Sequence, residues 1–416
     1  MLKTLKNWLW HLPQAIFWNF YYSFPSRKLT LIGVTGTDGK TTTCTLLQKL
    51  LENSGIHAGV ISTINSPGLH TTSPSPKILQ KILYDFSKSG YTHVVCEVTS
   101  HALSQFRYWG CNFKIGIITN ISHEHLDYYK NMDQYVKAKE KLFTQSELAI
   151  LNHDDEYFSD IKKSLNVKFK TYGLKNKSDY TADRIKITPE NMTFRINRHN
   201  FITDSNYDYQ IYNILACFSA FSELKLDSNV FAETIAHFPE IKGRLELVDN
   251  NLHLRCIVDF AHTPNALSKV LSSLKPSVKG RLIVIFGATG GRDKSKRPLM
   301  GDVVSKIADI AIITSDDTRN ENINTINAQI ISGINPKKSA YFEADKFPEN
   351  QSGFLYTQLS NRQDAFNLAV KIAKSGDTII ACGKGHETSI LLGKTEYPWS
   401  ETEAFRTAFR LKEKNV

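Results

Sequence analysis

Gly33 to Thr43 reads GVTGTDGKTTT, directly after the apolar residues Leu29, Leu31 and Ile32 and ahead of a helix-like run from Thr41 to Leu51. Residues of these types at this spacing handle phosphate. Glycines let the backbone turn tightly and aim its N–H groups at one point, and a helix N-terminus adds partial positive charge there. Lys40 can reach the outer phosphates of a nucleotide, and the Thr41 hydroxyl can sit on Mg²⁺. The candidate nucleotide-binding residues are therefore Gly36, Thr37, Asp38, Gly39, Lys40, Thr41 and Thr42, and the ligand they imply is ATP or GTP. The general phosphate-loop pattern has glycine where this chain has Val34. A plain Gly-rich turn does not account for Gly-Lys-Thr-Thr immediately after a β-run.

Two further groups of residues could do chemistry. Glu97 ends the apolar strand Val94-Val95-Cys96 and opens EVTSHALSQFR. A carboxylate at the carboxyl end of a parallel strand points to where ligands bind, and its oxygens suit Mg²⁺. The run Lys114–Thr119 leads into His123, Glu124, His125 and Asp127. Two histidines and two acids so close together suggest a metal or phosphate role, at a spacing that fits no compact zinc motif.

The elements that must position these residues follow from the alternation of strand and helix signals. At 416 residues, two or three domains are expected. Apolar runs at Leu29–Val34, His57–Ser62, Thr92–Val98, Lys114–Thr119 and Leu148–Leu151 alternate with helical patterns such as Pro76–Ser89 and Asp133–Thr144. Tyr180 to Asp204 reads as polar antiparallel strands, and Tyr207 to Leu224 as a buried helix. A boundary falls near Gly243-Arg244. Alternation then restarts with Leu254–Phe260, Arg281–Phe286, Ala308–Thr314 and Thr378–Cys382, separated by helices. Asn320–Asn327 and Pro348–Gly353 read as loops. The expected fold is α/β: a P-loop ATPase domain with a mostly parallel sheet over residues 29–242, and a smaller Rossmann-like α/β domain over 243–416.

Composition narrows the setting. Six cysteines are scattered without a CxxC pair, which argues against a zinc ribbon or disulfide framework and suits a reducing cytoplasm. The net charge of +10 suits anionic ligands, nucleotides and carboxylates among them, and also anionic membranes. No basic stripe interleaved with aromatics lies outside the N-terminus, so nucleic acid is not an expected partner. Residues 1–28 form an aromatic, basic extension without a single acidic residue. They lack the shape of a signal peptide and are too interrupted for a membrane span. Two readings stand: contact with a membrane interface on the inner face, or short helices packed on the protein's own surface.

The motifs EVTSHALSQFR, TNISHEHLDYY and YVKAKEKLF, in this order after TGTDGKTT, resemble those of the Mur ligases, ATP-dependent enzymes that join an amino acid to a carboxylate. The branch most resembled is that of the UDP-N-acetylmuramoyl-tripeptide synthetases of peptidoglycan synthesis. The resemblance implies that Glu97 and His125, with Thr41, bind magnesium, and that Lys139 is carbamylated by CO₂ to N6-carboxylysine. A carbamate offers Mg²⁺ two anionic oxygens where an ammonium offers none. The choice of Lys139 over Lys137 and Lys141 rests on the Tyr135-x-x-Ala-Lys spacing, which puts Tyr135 and Lys139 on one helix face. Lys40, Glu97, His125 and Lys139 are thus the expected catalytic set. Thr72 and Ser73 stand where the family's Thr-Thr-Pro segment meets the muramoyl peptide, with Thr71 an adjacent alternative. Thr99, Gln105 and Arg107 match further contacts to that substrate; a guanidinium grips carboxylate or phosphate bidentately.

The second half supplies sharper branch markers: VDFAHTPNAL, FGATGGRDKSKRPLMG and ACGKGHE. By resemblance Asp259, His262 and Asn265, with Arg244, touch the nucleotide. Asp316-Asp317-Thr318-Arg319 stands where diaminopimelate-adding enzymes carry Asp-Asn-Pro-Arg. Lysine-adding members lack this arginine, so Arg319 favours diaminopimelate, whose terminal carboxylate needs a cationic partner. Arg292, Gly383 and Glu387 match the other contacts to the incoming amino acid.

The resemblance covers residues 29 to 416. It implies an ATP-dependent amide-forming ligase, monomeric and cytoplasmic, that activates the D-Glu carboxylate of UDP-N-acetylmuramoyl-L-Ala-D-Glu as an acyl phosphate. Its two domains would close around the substrates. Family members carry a separate N-terminal domain that holds the UDP end, and here the phosphate loop starts by residue 33. The acceptor is then expected either as the UDP-linked dipeptide held with less help, or as a lipid-linked precursor with the aromatic N-terminus at the membrane. Two rivals are a folylpolyglutamate-synthase-like ligase and a non-catalytic nucleotide-binding scaffold. RDKSKRP and HEHLDYY favour the tripeptide branch over the first, and the joint presence of Lys40, Glu97, His125 and Lys139 favours catalysis over the second.

Overall fold

The computed structural model describes residues 5–64, 72–188, 190–348 and 353–414. The chain divides into two compact units: Met1–Ser122 with Tyr129–Pro239, and His123–Tyr128 with Glu240–Val416.

The first unit is built on nine strands: β1 (Thr30–Thr35), β2 (Ala58–Ile61), β3 (His93–Glu97), β4 (Phe113–Ile118), β5 (Ser146–Asn152), β6 (Lys168–Gly173), β7 (Tyr180–Ile187), β8 (Met192–Ile196) and β9 (His199–Thr203). Their order in the sheet is β2-β3-β1-β4-β5-β6-β7-β8-β9. Pairing is parallel as far as β7 and antiparallel across β7, β8 and β9. Parallel strands buried on both faces read as continuous apolar runs, and successive residues serve opposite faces. Ile32, Val34 and Val95 accordingly join Leu46, Leu47 and Leu50 of the helix Lys40–Asn53 and Ile214, Leu215 and Phe218 of the helix Gln210–Glu223. Their neighbours Leu31, Val94 and Cys96 join Leu79 and Leu83 of the helix Pro76–Lys88 on the other face.

Ahead of β1, a π-helical turn (Asn7–His11) runs into the helix Leu12–Tyr21, and a short 3₁₀ turn (Pro25–Lys28) follows. One face of this segment packs on the first unit. Ala15 and Asn19 are buried, and the Asn19 amide donates to the Ala15 and Trp109 carbonyls at 2.9 and 2.6 Å. Among the described residues no helix is long and apolar enough to cross a membrane.

The second unit holds β10 (Glu246–Leu247), β11 (Arg255–Asp259), β12 (Leu282–Phe286), β13 (Ile310–Thr314), β14 (Ser339–Tyr341), β15 (Phe354–Leu359) and β16 (Thr378–Cys382), in the order β10-β11-β16-β12-β13-β15-β14. All pairs are parallel except β10 with β11. The strands β17 (Ser389–Leu392) and β18 (Thr395–Pro398) form a separate hairpin. Arg362 is buried beneath the carboxyl ends of this sheet. Its guanidinium donates to both Glu401 oxygens at 2.8 and 2.9 Å and to the carbonyls of Ser315 and Cys382 at 2.9 Å each, which ties the segment after β13 to the end of β16. Burial works against the Arg362 charge, but Glu401 outweighs it and holds the guanidinium firmly protonated.

Two features differ from the sequence expectation. Asn320–Asn327 is not a loop throughout, because a helix runs from Ile323 to Ile331. Asn322 caps it by accepting from the Asn324 N–H, and Ile326 and Ile330 are buried one turn apart. The density of asparagines there hides this short stripe. The strand β15 and the helix Arg362–Ile372 fill the stretch between Thr314 and Thr378, where only a helix was expected. Of the expected loop Pro348–Gly353, residues 349–352 lie outside the described residues.

Glu401→Ala leaves the buried Arg362 charge unpaired. The expected loss is about 3–5 kcal/mol of unfolding free energy, read from urea denaturation; an unchanged midpoint contradicts the role given to this pair.

Candidate active site

In the first unit the loop between β1 and the helix Lys40–Asn53 folds as its glycines require. Gly36 and Gly39 have φ of +148° and +81°, and a Cβ at either would lie 1.9 Å from Thr119 Oγ1 or 2.4 Å from Asn213 Oδ1. Only glycine tolerates both conditions at once. The end of β4 holds the loop from the other side. Thr37 N–H donates to the Asn120 carbonyl at 2.7 Å, and Thr119 Oγ1 and Asn120 Nδ2 donate to the Asp38 carbonyl at 2.7 and 2.9 Å. Lys40 starts the helix, with its ammonium on the Thr37 carbonyl at 2.8 Å. Thr41 and Thr42 follow it, both buried.

Glu97 sits at the end of β3, 2% exposed. Its Oε2 accepts from Thr41 Oγ1 at 3.0 Å, from Thr63 N–H at 3.2 Å and from Thr63 Oγ1 at 3.1 Å. Thr63, just past β2, was missed by sequence reasoning; the signal was a hydroxyl residue at a strand's carboxyl end. Lys139 lies in the helix Met132–Glu140 and is 1% exposed. Its ammonium donates to the Gly36 carbonyl at 2.6 Å and stands 4.5 Å from the Tyr135 ring centroid, so the expected pairing of Tyr135 and Lys139 on one helix face brings both to the phosphate loop. Tyr135 Oη lies 3.1 Å from Thr37 Oγ1.

The residues expected to meet the muramoyl peptide gather around Ser73. Its hydroxyl donates to the Glu97 carbonyl at 3.0 Å and accepts from the Thr99 N–H at 3.1 Å. Arg107 donates to the Ser73 carbonyl and, through Nε and Nη2, to Gln105 Oε1 at 3.0 and 2.8 Å. Thr72 is half-buried beside Ser73. The alternative residue Thr71 lies outside the described residues.

His125 belongs to the second unit, together with its neighbours from His123 to Tyr128. Buried Lys296 reaches the equally buried Glu124 at 3.1 Å, His123 Nε2 lies 3.0 Å from Ser295 Oγ and 3.2 Å from Asp293 Oδ2, and Arg292 stands 3.9 Å from Asp127. His125 itself takes a left-handed φ of +60°, with Nδ1 4.0 Å from Glu124 Oε1. The sequence shows His125 as a member of a charged cluster; Lys296, the partner of its neighbour Glu124 172 positions away, is not visible there.

The strand ends of the second sheet carry the other candidates. Lys384, 1% exposed, donates to Asp317 Oδ1 at 2.8 Å and is paired with Glu387. Burial works against its charge, but Asp316, Glu387 and Asp317 outweigh it and hold Lys384 above its ordinary value. Carboxylate oxygens of Asp316, Asp317 and Glu387 lie within 4.8 Å of one another around this ammonium. Burial pushes the Glu387 carboxyl up to about 7. Its side chain is 38% exposed, so water screens part of that lift. Burial also raises Asp316, yet Lys384 and Arg362 bring it below the usual carboxylate range. Gly383 sits at φ +112°, and a Cβ there would crowd Asp316 Oδ2 at 3.0 Å. Thr318 Oγ1 accepts from Gly393 N–H at 3.1 Å. Arg319, at φ +50°, pairs with Leu392 through its backbone, and its buried Nε has no hydrogen-bond partner among the described residues. Burial and the nearby Arg319 charge lower the Arg292 guanidinium. Two cations thus stand close beside a cluster of carboxylates. Lys384 and Arg362 were missed; the first lay between two expected residues, and the second gave no local signal.

The expected nucleotide contacts of this unit also lie together. Asp259 ends β11 and accepts from the N–H groups of Leu245 and Ala261 at 2.9 and 2.8 Å. His262 Nδ1 is 2.8 Å from the Phe260 carbonyl, and the Arg244 guanidinium covers the Phe260 ring at 4.5 Å. Asn265 sits in the first turn of the helix Pro264–Leu274. His386 lies against Phe260 at a tilt, 4.9 Å between centroids. Its ring nitrogens are buried and lack hydrogen-bond partners among the described residues, and burial followed by Arg244 pushes it down to about 3, so it is neutral. Sequence reasoning passed over it, although it lies between Gly383 and Glu387.

A phosphate loop between the first parallel strand and its helix, joined to a second α/β unit with charged strand ends, defines a nucleotide-dependent ligase. Residues 34–221 match the Mur ligase middle domain, and residues 243–385 match the glutamate ligase domain of Mur ligases. The chain belongs to the Mur ligase family of ATP-dependent ligases. It is 36% identical over 395 residues to UDP-N-acetylmuramoyl-L-alanyl-D-glutamate–2,6-diaminopimelate ligase 1 of Clostridium acetobutylicum, covering 92% of this chain and 78% of that one. It is 35% identical over 406 residues to the 2,6-diaminopimelate ligase of the same description from Caldanaerobacter subterraneus, covering 95% and 81%. A solved structure of such a diaminopimelate ligase superimposes with a TM-score of 0.62 at 27% identity, over 96% of this chain and 83% of that one. A folylpolyglutamate synthase of Mycobacterium tuberculosis shares the fold, with a TM-score of 0.70 at 14% identity over 89% and 92%.

Proposed function

We propose that this enzyme joins meso-diaminopimelate to the D-Glu side-chain carboxylate of UDP-N-acetylmuramoyl-L-Ala-D-Glu, converting ATP to ADP and phosphate. The observation that carries the reading is the place of Arg319, whose Cδ comes up against Gly291 next to Arg292, in the chain segment that also carries Asp316 and Asp317 of the Lys384–Asp316–Asp317–Glu387 cluster. Diaminopimelate carries a carboxylate and an ammonium at each end. Arg319, with an unsatisfied Nε, suits the distal carboxylate, and the acids suit the ammonium. Lysine would set its own ammonium against Arg319.

In this reading the loop amides from Gly36 to Thr42 and the Lys40 ammonium receive the phosphates of ATP. Arg244, Asp259, His262 and Asn265 receive its nucleoside. Ser73, Thr99, Gln105 and Arg107 orient the acceptor, with Thr72 at the edge. The acceptor carboxylate attacks the γ-phosphorus and ADP leaves, which turns a poor leaving group into phosphate. The diaminopimelate amine then attacks the acyl carbon, and phosphate departs. Mg²⁺ suits the oxygen donors Thr41 and Glu97, and when bound it would spread the charge that develops on the phosphoryl group. His125 and carbamylated Lys139 complete the proposed set of ligands. Lys139 fits carbamylation by its place, since it is buried against the phosphate loop at the Gly36 carbonyl, where a carbamate would add anionic oxygens to those of Thr41 and Glu97. The proposed setting is the cytoplasm, with the enzyme monomeric.

Phosphate release should require both UDP-muramoyl dipeptide and meso-diaminopimelate, and Lys40→Ala should lower it roughly a thousandfold. Lysine should support little release, and folate with glutamate none. Near-normal turnover in Lys40→Ala, or release with folate and glutamate, contradicts the reading. Labelled bicarbonate should give a carbamate carbon signal in the magnetic resonance spectrum of the folded enzyme, absent from Lys139→Arg. A spectrum identical in both proteins removes the carbamate.

A further inference from the structure

Residues 8–21 gather the largest group of exposed apolar side chains among the described residues. Trp8, Leu9, Trp10, Phe17, Phe20 and Tyr21 are each 57% to 69% exposed, with Leu5 just ahead of them, while the remainder are scattered from Tyr84 to Leu411. Their exposure is not a sign of a loose end. The opposite side of the same helix, Ala15 and Asn19, is buried and hydrogen-bonded, as the four-residue spacing of these two allows. Trp8 meets the Phe106 ring edge-on at 5.0 Å, Trp18 carries the Lys77 ammonium at 5.1 Å, and Tyr22 lies 5.6 Å from Tyr84. The segment is fixed to the first unit by one face and presents rings on the other. Phe17, Phe20 and Tyr21 share that face at i, i+3 and i+4.

Charge identifies the occupant. Residues 1–28 contain Lys3, Lys6, Arg27 and Lys28 and no acid, in a chain of net charge +10. Neighbouring elements add Lys77, Lys88 over the Tyr84 ring at 5.6 Å, and Lys141 over the Phe106 ring at 5.5 Å. Lys81 is already paired with Asp85. A second copy of this chain would meet the patch with the same positive field. An anionic surface that also accepts aromatic rings meets both halves of it, because Trp and Tyr favour the headgroup region and lysines favour anionic lipids. The helix Leu12–Tyr21 is too short to span a bilayer and suits a position in the plane of the interface.

We propose that the exposed face of residues 5–21 docks this enzyme onto an anionic lipid bilayer, with the aromatic rings in the headgroup layer and the surrounding lysines on lipid phosphates. Because Trp8 packs on Phe106, the docked face adjoins the Gln105–Arg107 turn. The inference is independent of the substrate reading, since docking is measured without substrates.

The test is flotation of the full-length protein with vesicles of phosphatidylcholine alone and with about 30% phosphatidylglycerol. The protein should float with the anionic vesicles, and brominated lipid should quench its tryptophan fluorescence. In the triple variant Trp10→Ser, Phe17→Ser, Phe20→Ser the bound fraction should fall about tenfold or more, with phosphate release from soluble substrates unchanged. If the triple variant melts early, Lys6→Glu carries the test, because that side chain is exposed and its change should weaken flotation several-fold. No flotation of the parent protein, or equal flotation of parent and variants, overturns the proposal. So does a dimer in sedimentation velocity that the triple variant loses, since a second copy would then occupy the face.

Discussion

A single buried carboxylate, that of Glu97, organises the chemistry of the first unit. An acid 2% exposed needs donors, and this one takes three: the Thr41 hydroxyl and both the N–H and the hydroxyl of Thr63. Those donors come from the start of the helix after β1 and from the end of β2, while Glu97 itself ends β3. Three neighbouring strand ends are thus fixed to one oxygen. The phosphate loop can close over this point only because Gly36 and Gly39 have no side chain to collide with Thr119 and Asn213. Lys139 reaches the same loop from the helix Met132–Glu140. Loop, acid and lysine form one connected hydrogen-bonded structure in a parallel sheet, at the strand ends where such sheets bind ligands.

The second unit solves a related problem with the signs reversed. Buried Arg362 holds the backbone after β13 and at the end of β16 while Glu401 neutralises it. Above that brace, Lys384 gathers Asp317 and Glu387, with Asp316 held ionised against the cost of burial. Fixed charges of both signs are what the proposed binding of a zwitterionic amino acid requires, and in that proposal the two nearby arginines favour a substrate with an additional carboxylate.

Much of this was legible in the sequence where local pattern and chemistry coincide. The parallel strands are continuous apolar runs because both faces are covered, and the phosphate loop announces itself through glycines that sterics make obligatory. Glu97 was readable as an acid ending such a run. What was not legible depends on distant partners or on diluted periodicity. Nothing near His123–Tyr128 reveals Lys296, which groups that segment with the second unit. β6 went unread because Lys168 and Lys170 interrupt its apolar pattern, and the helix Ile323–Ile331 because asparagines are as many as its buried isoleucines. Thr63, Arg362 and His386 act through position alone, and the sequence does not mark such positions. For residues 1–28 the sequence left two readings open; in the structure the helix Leu12–Tyr21 has one face packed and the other exposed, so the two readings are not exclusive.

The most direct measurement follows an oxygen atom. UDP-N-acetylmuramoyl-L-Ala-D-Glu labelled with heavy oxygen in the D-Glu side-chain carboxylate is turned over with ATP and meso-diaminopimelate, and the released phosphate is weighed by mass spectrometry. Activation of the acid as an acyl phosphate predicts a labelled oxygen in the phosphate. Unlabelled phosphate alongside the amide product would contradict the account.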